Sequence, residues 1–271
     1  MLADAVAAET YKVLRQRGGL FWGFCAVPLS VLLFNLMLDT WIGTRSPLPL
    51  ALDFGQQVVR SLALGGNPIF QIFFIAGAVS IFSGEYRWET WRLLTPRNSR
   101  ANLMAAKVIL YAALTGLSLA ALGAAGALHT LYAAALGARV ALPGVDFPLT
   151  ALGSSLASWA ELLLLGLFVA LVAILSRAMI GPLIAAISFA FAQAMALLIL
   201  GAASAAPHWF AVFPGMSAWY LRAWMTGTEI APGIFAQTAL AALCGLFLLG
   251  WIGFLATAAL LLFQRQDLTR E

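Results

Sequence analysis

Between residues 156 and 175 the chain passes about twenty side chains, enough to cross about 30 Å of hydrocarbon as a helix, and meets one ionisable group, Glu161. Comparable apolar stretches occupy residues 20–38, 69–83, 100–128, 179–201 and 234–263. Only 10% of the residues are charged and 62% are hydrophobic, far from the roughly 25% charged of soluble domains. Six spans with their connections consume all 271 residues. The expected fold class is all-α: a polytopic membrane protein of six transmembrane helices in a single domain, 1–271, without a soluble catalytic or nucleotide-binding domain.

The punctuation between spans sets further expectations. Residues 2–17 place Leu2, Val6, Tyr11, Val13 and Leu14 roughly on one side of a helix, with Glu9, Lys12, Arg15 and Arg17 around the rest, the pattern of a helix lying on a membrane surface. Gly18-Gly19 is expected to end that helix. The first twenty residues lack an apolar core, so no cleavable signal peptide is expected. The second span is short, at about 15 residues, and is expected to run on as helix into the polar stretch that follows; a short helix near 56–64 precedes it. Ser176-Arg177 marks a tight turn between the fourth and fifth spans. Residues 202–233, crowded with Trp209, Phe210, Phe213, Trp219, Tyr220 and Trp224, read either as a belt of interfacial rings or as a partly re-entrant lid of short helices between Pro207, Pro214 and Pro232.

Sidedness follows from the basic residues, which concentrate on the cytoplasmic side of membrane proteins. Eleven of the fifteen fall on the side that holds the N-terminus, against Arg45, Arg60, Arg139 and Arg222 on the other. Both termini are therefore expected in the cytoplasm. No basic residue falls in an expected membrane centre, which argues against a voltage sensor or a cation relay.

Little in the sequence suggests catalysis or a metal. His129 and His208 stand far apart, and Cys25 and Cys244 sit in apolar runs without metal-ligand spacing. Gly116, Gly123 and Gly126 lack the lysine of a phosphate-binding loop and suit close helix packing. Glu161 is expected about five residues, or roughly 7 Å, below the outer end of the fourth span. There it either pairs with Arg139 or Arg222 or lines a substrate path. Asn35, Gln71 and Gln193 fall in the outer halves of their spans and make a shared polar cavity with Glu161 conceivable.

The stretch 84–107 is the long polar interruption in the first half of the chain. It carries Glu85, Arg87, Trp88, Glu89, Trp91, Arg92, Arg97, Arg100 and Lys107. Read as a helix, residues 85–94 bring Trp88, Trp91 and Leu94 to helical spacing and set Glu89 one turn from Arg92. Pro96 ends it, and Ser99 is the expected N-cap of the next helix. A solvated interfacial loop would share this composition. A mixed-charge aromatic helix followed by a stop and a new cap fits better a projection that docks on a soluble partner.

This order of residues, Glu85, Thr90, Leu93-Leu94, Thr95-Pro96, Ser99-Arg100 and Lys107, resembles the membrane subunits of type-2 ATP-binding-cassette exporters. Residues 8–17, A-E-T-Y-K-V-L-R-Q-R, resemble their interfacial elbow helix. The chain departs from the family at Glu89, where members often carry Gly. The resemblance implies a permease in a bacterial inner membrane. Two copies would pair, each binding a separate ATPase subunit through residues Glu85, Arg87, Trp88, Glu89, Thr90, Trp91, Arg92, Leu93 and Leu94. ATP and Mg would belong to that partner, with no enzyme activity and no cofactor in this chain. The other partners would be lipid and the second copy, with no nucleic acid. A membrane anchor that recruits a soluble partner without moving a substrate is the alternative.

Overall fold

The computed structural model describes residues 2–43, 51–88, 99–201, 208–231 and 234–266. Helix α1, Leu2–Arg15, turns Ala5, Glu9 and Val13 inward and leaves Tyr11 and Leu14 exposed, with the Arg15 guanidinium stacked 4.8 Å from the Tyr11 ring centroid. The expected break at Gly18-Gly19 falls earlier. Gln16 leaves the helical region, with φ −84° and ψ 61°, and helix α2, Arg17–Leu20, contains both glycines. Packing explains their position at Gly19, where a Cβ would lie 3.1 Å from Ser80 Oγ.

A wide π turn, Phe21–Cys25, carries α2 into α3, Ala26–Gly43. Within the turn Gly23 lies against Gly77, so that a Cβ on Gly23 would sit 2.6 Å from the Gly77 Cα. Close approach between small residues is how helices associate where lipid is as apolar as their side chains. The Phe24 carbonyl accepts a 2.6 Å bond from Ser118 Oγ, tying the turn to the third span.

The next crossing is broken. Strand β1, Ala51–Asp53, leads into α4, Phe54–Ala63; a 3-10 turn, Leu64–Gly66, separates it from α5, Pro68–Phe82, and the two helices meet at 59°. Both halves are capped: Asp53 Oδ1 accepts from Gln56 N at 2.8 Å, and Asn67 Oδ1 from Ile69 N at 2.9 Å. Pro68 occupies the first turn of α5, where its missing N–H costs nothing. The short helix expected near 56–64 is thus half of a bent span. Helix resumes after Ser83 as α6, Gly84–Trp88; residues 89–98, with Glu89, Thr90, Trp91, Arg92, Leu93 and Leu94, lie outside the described residues.

Helix α7, Arg100–Ala135, starts at the expected cap, where Ser99 Oγ accepts from Asn102 N at 3.2 Å. Arg100 Nη1 reaches the Phe263, Gln264 and Gln266 carbonyls at the far end of the chain. Helix α8, Phe147–Ser176, begins well before the expected start at 156, because Pro148 sits in its first turn and the apolar window marked only its inner part. Arg177, in the left-handed region at φ 50°, makes the tight turn into α9, Ile180–Gly201. Helix α10, Pro214–Thr226, lies between the expected prolines, and α11, Thr238–Arg265, closes the chain.

Among the described residues five segments, Arg17–Trp41, Arg100–Ala135, Phe147–Ser176, Ile180–Ile199 and Thr238–Arg265, are long and apolar enough to cross a membrane; the bent pair makes a sixth if taken as one span. The protein is a multi-pass helical membrane protein. Helix α8 is the most buried span and α9 the least. The core joins Phe74, Ile75 and Ile81 of α5 to Tyr111, Leu119 and Leu122 of α7 and Leu162 and Leu165 of α8. Two small β pairs modify the all-α expectation: β1 runs parallel to β2, Arg139–Ala141, and β3, Glu229–Ala231, pairs antiparallel with β4, Ile234–Phe235.

Candidate functional site

Among the described residues, two assemblies of buried charge lie near opposite ends of α5. The first gathers α1, α6 and the start of α7. Lys107 has no exposed surface; its Nζ lies 2.6 Å from Glu85 Oε1, 3.2 Å from Glu9 Oε2 and 2.6 Å from the Ile81 carbonyl. Lys12 Nζ completes the group, 2.6 Å from Glu9 Oε2 and bonded to Glu85 Oε1. Two carboxylates and two ammoniums neutralise one another, which is what makes burial of four charges tolerable. Burial works against the Lys12 ammonium, but Glu85 and Glu9 outweigh it and raise its pKa. Burial also pushes the Glu85 carboxyl up, and Lys107 and Lys12 more than reverse that, holding it below the usual range. Glu85 Oε2 is buried with no hydrogen-bond partner among the described residues.

This quartet joins three segments distant in sequence, and sequence reasoning did not find it. By local rules Glu85 belongs to a projecting helix, Glu9 and Lys12 to the polar face of a surface helix, and Lys107 to a polar loop. The available signal was Lys107 itself, a cation within a helix whose following residues are almost wholly apolar. Arg17, by contrast, is exposed as an interfacial cation should be.

The second assembly lies at the break between α4 and α5. Glu161 sits halfway along the 30-residue α8, not near its outer end, because α8 starts earlier than hydropathy marked. Its Oε2 accepts from Arg222 Nη1 at 2.6 Å and its Oε1 from Gln71 Nε2 at 2.9 Å. Arg222 was expected at the membrane surface; α10 instead packs into the bundle and turns Arg222 inward, 9% exposed. Of the two partners that sequence allowed Glu161, Arg222 is taken, while Arg139 pairs through its backbone in β2. Gly66, in the turn at the break, leaves room for the guanidinium, since a Cβ there would collide with it.

Of the other expected pathway residues, neither Gln193 nor Asn35 is hydrogen-bonded to Glu161. Gln193 Oε1 accepts from Gly215 N, locking α9 to the first turn of α10. Asn35 is half-buried on α3. His129 Nε2 of α7 lies 2.9 Å from Asp39 Oδ2 of α3. Cys25 and Cys244 are free thiols. Among the described residues no group of three or more His, Cys, Asp or Glu could hold a metal ion.

Beside the break a cavity of about 860 Å³ opens between α4, the start of α8 and α10. Arg222, Gly66, Asn67 and Pro68 line its wall at the break, while Asp53 and Asp146 precede the first turns of α4 and α8. An interrupted span with a paired acid and base at the interruption, next to a ligand-sized cavity, is an arrangement by which membrane proteins expose polar backbone and charge to a substrate without exposing them to lipid. No family model matches the chain, and no curated protein matches it.

Proposed function

We propose that the chain is the permease subunit of a type-2 ATP-binding-cassette exporter, working as a pair of copies with one separate ATPase subunit bound to each. The observation that carries this reading is the buried quartet. A loop that passes a motor's stroke into the membrane has to be rigid at its base, and here the first turn of the 84–107 stretch is held by Glu85 to α1 and to α7 at once. Movement of the loop therefore displaces the surface helix and the third span together. Residues 85–94 form the coupling element in this reading. ATP and Mg stay on the partner, and this chain catalyses no reaction. The excess of basic residues on the α1 side supports a cytoplasmic location for both termini and the loop, and the resemblance of the loop and elbow motifs favours a bacterial inner membrane. The broken span with its Glu161–Arg222 pair supplies a polar interior next to the cavity.

Replacing Trp88, Trp91 and Arg92 together by Ala tests the reading in membranes that contain the partner. The expected result is loss of ATPase association and of transport. Unimpaired transport by the triple variant, with no ATPase subunit retained by the parent chain, would overturn it. A membrane anchor that only recruits a soluble partner could use the same clamp, but ATP hydrolysis by its partner would not respond to any solute, whereas that of an exporter's partner rises with its cargo.

A further inference from the structure

We propose that the corner between α1 and α2 is a binding site for an anionic phospholipid, whose phosphate is held by Arg15 and Arg17 and whose chains lie on Tyr11, Leu14 and Trp22. The charge of this corner follows from which groups are already spent. Glu9 and Glu85 are consumed by Lys12 and Lys107 in the quartet. The Asp4 carboxyl, in the first turn of α1, is held below its usual range by the chain's own amino terminus. Arg15 and Arg17 are exposed, and neither is ion-paired. They stand two residues apart, so their Cα atoms lie within about 7 Å, a separation that one phosphate can bridge by bidentate contacts. Stacking on Tyr11 restrains the Arg15 guanidinium while leaving its N–H edge free to donate.

The apolar half of the site lies at the matching depth. Because α1 turns Ala5, Glu9 and Val13 to the bundle, Tyr11 and Leu14 fall on its opposite face and stay exposed. From α2 the chain enters the first span, where Phe21 and Trp22 are exposed and the Trp22 ring stacks on Phe73 of α5. The contacts of Gly19 with Ser80 and of Gly23 with Gly77 run this segment antiparallel to α5, which sets Arg17 level with the end of α5, where its apolar run stops. A cation at that level, with exposed rings about one turn deeper, matches a phosphate above its acyl chains. A choline headgroup would bring its own cation against two guanidiniums that no acid balances. A free phosphate would leave the exposed rings and Leu14 uncovered.

The assignment does not rest on the transport reading, and its test needs no ATPase. The full chain, purified in a neutral detergent, is titrated with phosphatidylglycerol and, separately, with phosphatidylcholine of the same acyl chains, and bound lipids are counted by native mass spectrometry. The expected result is a first phosphatidylglycerol bound at least about tenfold more tightly than phosphatidylcholine, about fivefold for each arginine. Arg15→Gln with Arg17→Gln abolishes that preference, and Tyr11→Leu lowers the phosphatidylglycerol affinity about 2- to 5-fold. Arg139→Gln, which removes an exposed cation beyond the far end of α7, leaves it unchanged. Glycerol 3-phosphate, the same anion without chains, does not displace the lipid at equal concentration. Equal binding of the two lipids, an undiminished preference in the doubly neutralised variant, or a loss as large in Arg139→Gln would overturn the proposal. So would displacement by glycerol 3-phosphate, which would make the ligand a free phosphate. Should a variant unfold, the two-lipid comparison and the glycerol 3-phosphate competition on the parent chain decide the ligand unaided.

Discussion

Glu161 concentrates the energetic risk of this fold in one side chain. It is 6% exposed and halfway along the central helix, where an unpaired carboxylate would be expelled or protonated. Arg222 and Gln71 occupy both its oxygens. Glu161→Ala strands the Arg222 guanidinium, and breaking a buried pair from one side costs about 3–5 kcal/mol. Glu161→Leu combined with Arg222→Met removes both charges and should recover most of that loss. Thermal or denaturant unfolding of the purified chain checks both, and a single variant as stable as the parent would refute the pairing. At this scale the sequence was partly legible. An acid inside an apolar run is conspicuous, and Arg222 was one of two partners within reach. Depth was not legible, because hydropathy cannot see that Pro148 begins a helix above the apolar window, or that α10 folds inward.

At the scale of elements, the quartet determines whether α1, α6 and α7 move as one piece. Glu85 is held below the ordinary carboxyl pKa of about 4.3, so its contribution is complete above that value and is lost as pH falls through the lowered one. Lys12 is raised above the ordinary value of about 10.4, so its contribution is complete below it and is lost as pH rises through the raised one. The contribution of these two groups is therefore complete between about pH 4.3 and 10.4 and should fall on either side. The paired variant Glu85→Gln with Lys12→Met lacks both edges of that plateau. Lys107→Met, which leaves two acids facing Lys12 alone, should cost about 3–5 kcal/mol; melting curves across pH measure both effects. Helices, the Ser99 cap, the tight turn at Arg177 and the short helix after Pro214 were readable from local rules, since caps, prolines and hydropathy act within a few residues. The quartet was not, because its members come from α1, α6 and α7, and nothing in the sequence of one records that the others lie across it. The Gly18-Gly19 break was misplaced for a related reason: local propensity gave way to packing of Gly19 against Ser80.

For the whole molecule, the structure divides its polar chemistry between two levels. One cluster clamps the base of the 84–107 stretch; the other sits at a broken span beside a cavity. The two levels are joined by α5, which carries Gln71 at its start and leads into Glu85, and by α7, which carries Lys107 and packs its Leu119 over Gly65; in the proposed reading this is the route by which a motor acting on the first would reach the second. This division gives the permease reading its physical content and makes its composition testable. The chain, tagged at one terminus and purified intact from the membranes of the organism that makes it, is weighed by native mass spectrometry. The account predicts an assembly of two 28.8 kDa copies with two copies of a nucleotide-hydrolysing subunit, which dissociates when Trp88, Trp91 and Arg92 are replaced by Ala. A chain found alone, or bound only to proteins that hydrolyse no nucleotide, would contradict it.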